Sequence, residues 1–193
     1  KAIDEIMLNV GVFKQLGVPI MGVIINKVLP DKYDKINTIV RKGLKRLDLD
    51  VLGVVPLNEQ LTYPTISSII EKLKPTVLSL NDNSENNTIE KFMIGDMMPH
   101  DALDHISKNT LMIVPGNREG LVLTALCESL INQGNHLVSG IVFTNGIKPH
   151  SKILDLLKTS HIPLFMVDED AFSIATKINQ MIVKIRFEDK NKI

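Results

Sequence analysis

Neither sign of charge is in excess in this sequence: 22 Lys and Arg balance 22 Asp and Glu over 193 residues. A chain with no net field is not drawn to a polyanion. The balance argues against electrostatically driven binding to nucleic acid or to an anionic membrane surface. There is one cysteine, Cys127, so no disulfide can close within the chain, which points to a reducing cytoplasm. The longest apolar runs are the length of strands, too short to cross a bilayer as a helix. No signal peptide is visible at Lys1. The phosphate-loop pattern Gly-x-x-x-x-Gly-Lys-Ser/Thr is missing. The nearest order, Lys42 to Lys45 around Gly43, sits inside a predicted helix with the wrong spacing. Without that backbone cradle and its lysine the chain by itself has no grip on ATP. His-Glu-x-x-His, Cys-x-x-Cys and Gly-x-Ser-x-Gly are missing too. His100 and His105 are five apart and do not share a helical face. The expectation is therefore no metal site and no catalytic residue.

What is present is apolar sequence arranged in alternation. Hydrophobic residues make up 44% of the chain, enough for a real core. The pattern predicts a helix over 2–16, with Ile3, Ile6, Met7, Val10 and Phe13 on one face. A buried strand follows over 18–25, then a charged amphipathic helix over 31–47. Next come a strand over 50–55, stopped by Pro56, and a helix over 64–73 with proline near its first turn. The segment 79–88 is polar, rich in Asn and almost without apolar residues, as a linker would be. Beyond it the spacing predicts strands near 92–95, 110–114, 137–143 and 163–167. Helices are expected over 100–107, 119–133, 150–158 and 171–181. In the second of these helices Leu121, Val122, Ala125, Leu126 and Leu130 repeat at helical spacing, and Cys127 reads as a small core residue. The fold class expected is α/β, with mostly parallel sheets and flanking helices in two blocks. The domains expected are 1–78 and 89–193, joined by the linker 79–88. The chain opens inside a helix and lacks an initial Met, as a fragment of a longer polypeptide would.

In an open α/β sheet, ligands sit outside the carboxyl ends of the strands. Two loops at such ends stand out, Gly116 to Glu119 and Thr144 to Lys148. Asn117 can cap the following helix through its side-chain oxygen. Arg118 is the cation of the first loop and starts that helix, where free N–H groups favour an anion. It is expected to reach Thr144 or Asp168; an ion pair with Glu119 or Asp168 is the structural alternative. Asp168, Glu169 and Asp170 follow a strand. They could hold Mg²⁺, but Asp170 directly before Ala171 reads better as a helix cap.

These loops resemble those of the DRTGG domain, named for an Asp-Arg pair and a Thr-Gly-Gly triplet at these places. Here the pair is Asn117-Arg118 and the triplet is Thr144-Asn145-Gly146. The strand over 162–168 and the tail from Asn191 to Ile193 are similar as well, so the likeness covers roughly 89–193. Asn117 removes a carboxylate, and Asn145 puts a side chain where a glycine would let a ligand approach closely. The resemblance implies ligand-binding positions at Gly116, Asn117, Arg118, Thr144, Asn145 and Gly146, with a small anionic or nucleotide ligand.

The first block is similar to the carboxyl half of a dethiobiotin-synthetase-like P-loop domain, on the stretches 22–28, 53–56 and 61–65. That likeness would place Asn26 and Pro56 at an incomplete pocket for a nucleotide base. Together the two blocks resemble the amino-terminal region of long bacterial phosphate acetyltransferases. The pairing implies a regulatory, ligand-sensing and oligomerisation module, not catalytic as this fragment. No cofactor is implied in this chain, with ATP and Mg²⁺ reserved for an intact parent protein. The alternative is a truncated ATP-dependent ligase of the dethiobiotin synthetase or cobyrinate-amidating type. A homodimer through the second block is expected, because apolar content is high and the half-domain leaves sheet edge uncovered.

Overall fold

The computed structural model describes residues 2–81, 83–132, 137–183 and 192. Gln133, the end of one expected helix, lies outside them, as do His136, Asn191 and Ile193. The chain divides into two compact units, 1–59 and 60–193.

The first unit contains α1 (Ala2–Gln15), β1 (Val23–Val28), α2 (Tyr33–Lys45) and β2 (Val51–Pro56). β1 and β2 pair in parallel, with Val23 beside Val51 and Val28 beside Pro56. Val10, Leu44 and Leu49 form the buried centre, with Ile3, Ile6 and Met7 packed against it. The apolar face expected for α1 is therefore the packed one, except at Phe13, which is exposed. A sheet of two strands has too little surface to cover every apolar side chain, and Ile24 and Leu52 also face outward.

The second unit contains α3 (Ile66–Leu73), β3 (Thr76–Ser79), β4 (Lys91–Ile94), α4 (Pro99–His105) and β5 (Thr110–Pro115). It continues with α5 (Glu119–Ile131), β6 (Val138–Thr144), α6 (Ser151–Thr159), β7 (Leu164–Met166) and α7 (Ala171–Asn179). The five-stranded sheet has the order β3-β7-β6-β5-β4. β4 to β7 are parallel, and β3 runs antiparallel beside β7.

This order has a consequence for the layers. From β4 to β7 each strand is laid beside the previous one, always in the same direction. Right-handed crossovers then put the connecting helices on a single face. Accordingly Ala102 of α4, Leu121, Val122 and Ala125 of α5, and Leu157 of α6 share one core with Met112, Val114, Ile141 and Phe143. The alternate strand residues Leu111, Ile113, Val142 and Phe165 face the opposite layer. There they meet Ile66 and Ile69 of α3 and Ile174 and Ile178 of α7. β5 and β6, covered on both sides, read as continuous apolar runs for that reason.

Three expectations are corrected here. The units divide at Glu59 and Gln60, ahead of the linker expected over 79–88. That segment is stitched into the second unit: Ile66 N–H donates to Asn87 O at 3.0 Å and Ser139 Oγ to Thr88 O at 2.8 Å, and just beyond it Ile89 N–H donates to Pro64 O at 2.8 Å. Composition signals a lack of core side chains, but backbone groups can anchor a polar segment equally well. Leu130, expected on the buried side of α5, is 80% exposed, and Cys127 is exposed too. α5 is apolar on nearly all sides, so helical spacing alone could not choose which side faces the sheet. Among the described residues no helix is long and apolar enough to cross a membrane.

Candidate functional site

The candidate site lies at the carboxyl ends of β5, β6 and β7. β5 ends at Pro115, and Gly116 turns the chain toward α5. Its N–H donates to Ile147 O at 3.1 Å. A Cβ at position 116 would lie 2.3 Å from that carbonyl oxygen and 2.5 Å from the carbonyl carbon of Lys148. Only glycine lets the two loops meet this closely. The Gly116 and Thr144 loops are thus brought together, as the sequence implies, by backbone resting directly on backbone.

After β6 the chain passes through two left-handed residues, Asn145 at φ 58° and Gly146 at φ 63°. Asn tolerates this conformation through local hydrogen bonding, and Gly meets no steric penalty there. The bend turns both N–H groups toward the β7–α7 connection. Asn145 N–H donates to Glu169 O at 2.9 Å, and Gly146 N–H to Val167 O at 2.9 Å. The β6 loop is therefore clipped to the β7 loop.

Thr144 lies at the root of this clip, with no exposed surface. Its Oγ1 is the one buried side-chain nitrogen or oxygen without a hydrogen-bond partner among the described residues. Burying a hydroxyl unpaired costs about 1–3 kcal/mol. By strand alternation from Val142, the side chain of Thr144 falls on the α7 side of the sheet. A neighbouring feature is legible only in three dimensions. α6 follows β6 on one face and α7 follows β7 on the other. The topological switch point, where open α/β sheets place ligands, therefore lies between β6 and β7. The sequence reading had paired the loops after β5 and β6 instead.

Arg118 does not point toward Thr144 or Asp168. Its Nη2 donates to Asp96 O at 3.1 Å and to Met97 O at 3.3 Å. β4 lies beside β5 on the side away from β6, and the carbonyls of the connection that follows it offer the guanidinium acceptors there. Arg118, Asn117, Met97, Met98 and Leu121 line an open hollow of about 190 Å³. Asn117 is not the helix cap. Arg118 occupies that position without a side-chain cap, and its carbonyl accepts from Leu121 and Val122. Glu119 also turns away from Arg118, its Oε1 accepting from His150 N–H at 2.8 Å at the start of α6.

Asp170 caps α7, as its place before Ala171 suggests. Ser173 N–H donates to its Oδ1 at 2.9 Å and Ser173 Oγ to its Oδ2 at 2.7 Å. The Ser173 hydroxyl, with the Ser173 N–H behind it, holds the Asp170 carboxyl below its ordinary value. Glu169 is paired with Lys177 at 2.6 Å. Among the described residues no three His, Cys, Asp or Glu side chains are grouped to hold a metal ion. In the first unit Asn26 is exposed near the end of β1, with its Oδ1 accepting from Lys27 N–H at 2.8 Å. Pro56 lies on the adjacent strand, beside Val28.

Comparison with known proteins follows this division. Residues 68–181 match the DRTGG domain, and residues 1–65 match an AAA domain. The phosphate acetyltransferase of Pseudomonas putida is 25% identical over 180 residues, which are 90% of this chain and 25% of that protein. That of Nitratidesulfovibrio vulgaris is 22% identical over 196 residues, 99% of this chain and 28% of that protein. That of Synechocystis is 26% identical over 159 residues, 81% of this chain and 22% of that protein. The chain thus spans about a quarter of the length of these curated relatives. Among solved structures, the CBS and DRTGG domains of the regulatory region of Clostridium perfringens pyrophosphatase, complexed with its activator diadenosine tetraphosphate, align at a TM-score of 0.49. The identity is 17%, over 67% of this chain and 53% of that one. The DRTGG match covers more than half of the sequence and almost all of the five-stranded sheet, and this chain belongs to the DRTGG domain family.

Proposed function

We propose that this chain is a regulatory module of a phosphate-acetyltransferase-like protein, which senses a small ligand and assembles subunits. The observation that carries the reading is the clip at the β6–β7 switch point, with the unpaired Thr144 hydroxyl beneath it. A natural chain keeps an unsatisfied buried hydroxyl at a cost, and such costs collect at functional positions. The ligand is a small anion or a nucleotide, contacted by Thr144, Asn145 and Gly146. Gly116 holds the neighbouring loop in place, and Asn117 and Arg118 extend the site along the sheet edge. To reach Thr144 a ligand group must displace the hydrogen bonds from Asn145 to Glu169 and from Gly146 to Val167. Binding is thereby coupled to the start of α7, which gives a sensor its readout.

The chain by itself requires no cofactor in this reading, and ATP with Mg²⁺ belongs to the intact parent. Calorimetry of the chain with Mg-ATP, AMP, acetyl phosphate and citrate tests the proposal. One class should bind, and Thr144→Val should weaken it at least severalfold. If all four fail to bind at millimolar concentration, the module is a scaffold. A second reading is a truncated ATP-dependent ligase; the AAA match over 1–65 supports a nucleotide-binding fold in the first unit and does not by itself support ligase chemistry. Micromolar Mg-ATP binding that is lost on substitution of Asn26 would support it.

A further inference from the structure

The connection from β7 to α7 carries three consecutive carboxylates, Asp168, Glu169 and Asp170, at the switch point described above. Two of them are occupied. Glu169 is paired with Lys177, and both oxygens of Asp170 accept from Ser173 at the start of α7. Asp168 is exposed and forms no hydrogen bond or ion pair among the described residues. Its Oδ1 lies over Gly146, 3.0 Å from where a Cβ would stand there. Gly146 is one half of the clip, and Asn145, bonded to Glu169 O, is the other. Directly before them Thr144 holds its fully buried, unpartnered hydroxyl on the α7 side of the sheet. An unused carboxylate and an unused hydroxyl thus flank the same clip.

The charges here select among the ligands proposed above. The N-terminus of the helix after a switch point is where an anion would ordinarily sit. Asp170 already supplies that negative charge, and with its carboxyl held below the ordinary value it stays ionised at neutral pH. Asp168 adds a second negative charge beside it, so a phosphate or carboxylate entering between the loops meets like charge. A metal ion is not favoured either, because among the described residues the carboxylates do not converge into a group that could hold one. An ionised carboxylate only accepts hydrogen bonds, so its complement is a donor. A hydroxyl both donates and accepts, so it suits Thr144 as well.

We propose that the ligand of this site is a nucleoside or nucleotide held by its ribose, whose vicinal hydroxyls donate to Asp168, with any phosphate directed outward to solvent. The proposal rests on the ligand-sensing function proposed above and takes the nucleotide, not the small anion, as its ligand. Two adjacent hydroxyls match the two oxygens of one carboxylate, and a strand-end carboxylate holds a ribose hydroxyl in dinucleotide folds. When the clip opens, the buried Thr144 hydroxyl gains the partner it lacks. Asp168 is then the residue that decides ligand class, accepting from a sugar and repelling a bare anion.

Calorimetry of the full chain tests this with adenosine, guanosine, cytidine and uridine, their 5′-monophosphates, their 2′,3′-dideoxy forms, inorganic phosphate and acetyl phosphate. At least one ribonucleoside should bind, within about threefold of its monophosphate, because a phosphate in solvent adds little. Its dideoxy form should bind roughly tenfold more weakly or worse, the loss expected for hydrogen bonds to a charged group. Asp168→Asn should weaken the ribonucleoside by a similar factor and leave the dideoxy form unchanged. Binding of phosphate or acetyl phosphate that tightens in Asp168→Asn overturns the ribose assignment and leaves the ligand-sensing reading standing. So does a dideoxynucleoside that binds as well as its parent. If no probe binds at millimolar concentration, both fall. Should Asp168→Asn fail to fold, the ribose and dideoxy comparison on the native chain decides the case.

Discussion

Gly146 donates its N–H to the carbonyl of Val167 across 2.9 Å, fastening the loop after β6 to the loop after β7. A Cβ at position 146 would come within 3.0 Å of Asp168 Oδ1, and the backbone there is left-handed at φ 63°. Both the conformation and the close approach therefore call for glycine. The bond joins strands whose following helices leave on opposite faces, so a change at this point reaches both layers.

Thr144→Val should stabilise the chain. The hydroxyl is buried without a partner, and a methyl of similar shape removes the desolvation cost, worth about 1 kcal/mol or more. Urea denaturation should show a higher midpoint at an unchanged slope. A clear loss of stability would mean that the hydroxyl has an ordered partner, and the switch-point reading would lose its main support.

Gly116→Ala should be severe. The added methyl meets the backbone of residues 147–149 at 2.3 to 2.6 Å, and backbone cannot rotate aside as a side chain can. Separating the two loops should cost about 3 kcal/mol or more. A thermal midpoint within a degree or two of the native chain would show that the loops part easily.

Arg118→Ala should leave folding nearly untouched, within about 1 kcal/mol, because an exposed guanidinium loses only its bonds to Asp96 O and Met97 O. The expected change is local, at the β4–α4 connection. Amide exchange should rise over residues 96–99 and not at 144–146. Faster exchange at Thr144 would restore the orientation first expected from the sequence.

The Asp170 cap predicts a pH dependence with a definite sign. Its carboxyl is held below the ordinary value of 3.8 by Ser173, so the folded state favours the charged form. The contribution is fully present above the unfolded pKa and is lost as pH falls through the lower, folded one. Asp170→Asn retains a capping oxygen but no charge. The native chain should melt above this variant from neutral pH down to about pH 5, and the gap should close below about pH 4. A gap that widens in acid would contradict the direction of the shift.

Much of the local structure was determined by sequence alone. Alternating apolar runs and amphipathic stretches specify parallel strands and helices, because burial on both faces requires continuous Val, Ile and Leu. Asp170 before Ala171 specifies a cap, since a short carboxylate satisfies the first N–H groups of a helix from within four residues. The order of loops around Arg118 and Thr144-Asn145-Gly146 specifies the DRTGG family. What only the tertiary structure decided depends on groups far apart in the chain. The polar stretch 79–88 looks like a linker until Ile66 and Ser139 are seen to bind its backbone. Arg118 has acceptors on either side of β5, and the place of β4 in the sheet gives it those of Asp96 and Met97. Cys127 and Leu130 share an apolar helix with Leu121, and only docking onto the sheet leaves them outside. Periodicity shows that a helix has an apolar face, but which side is buried when every side is apolar is settled by the strands beneath it.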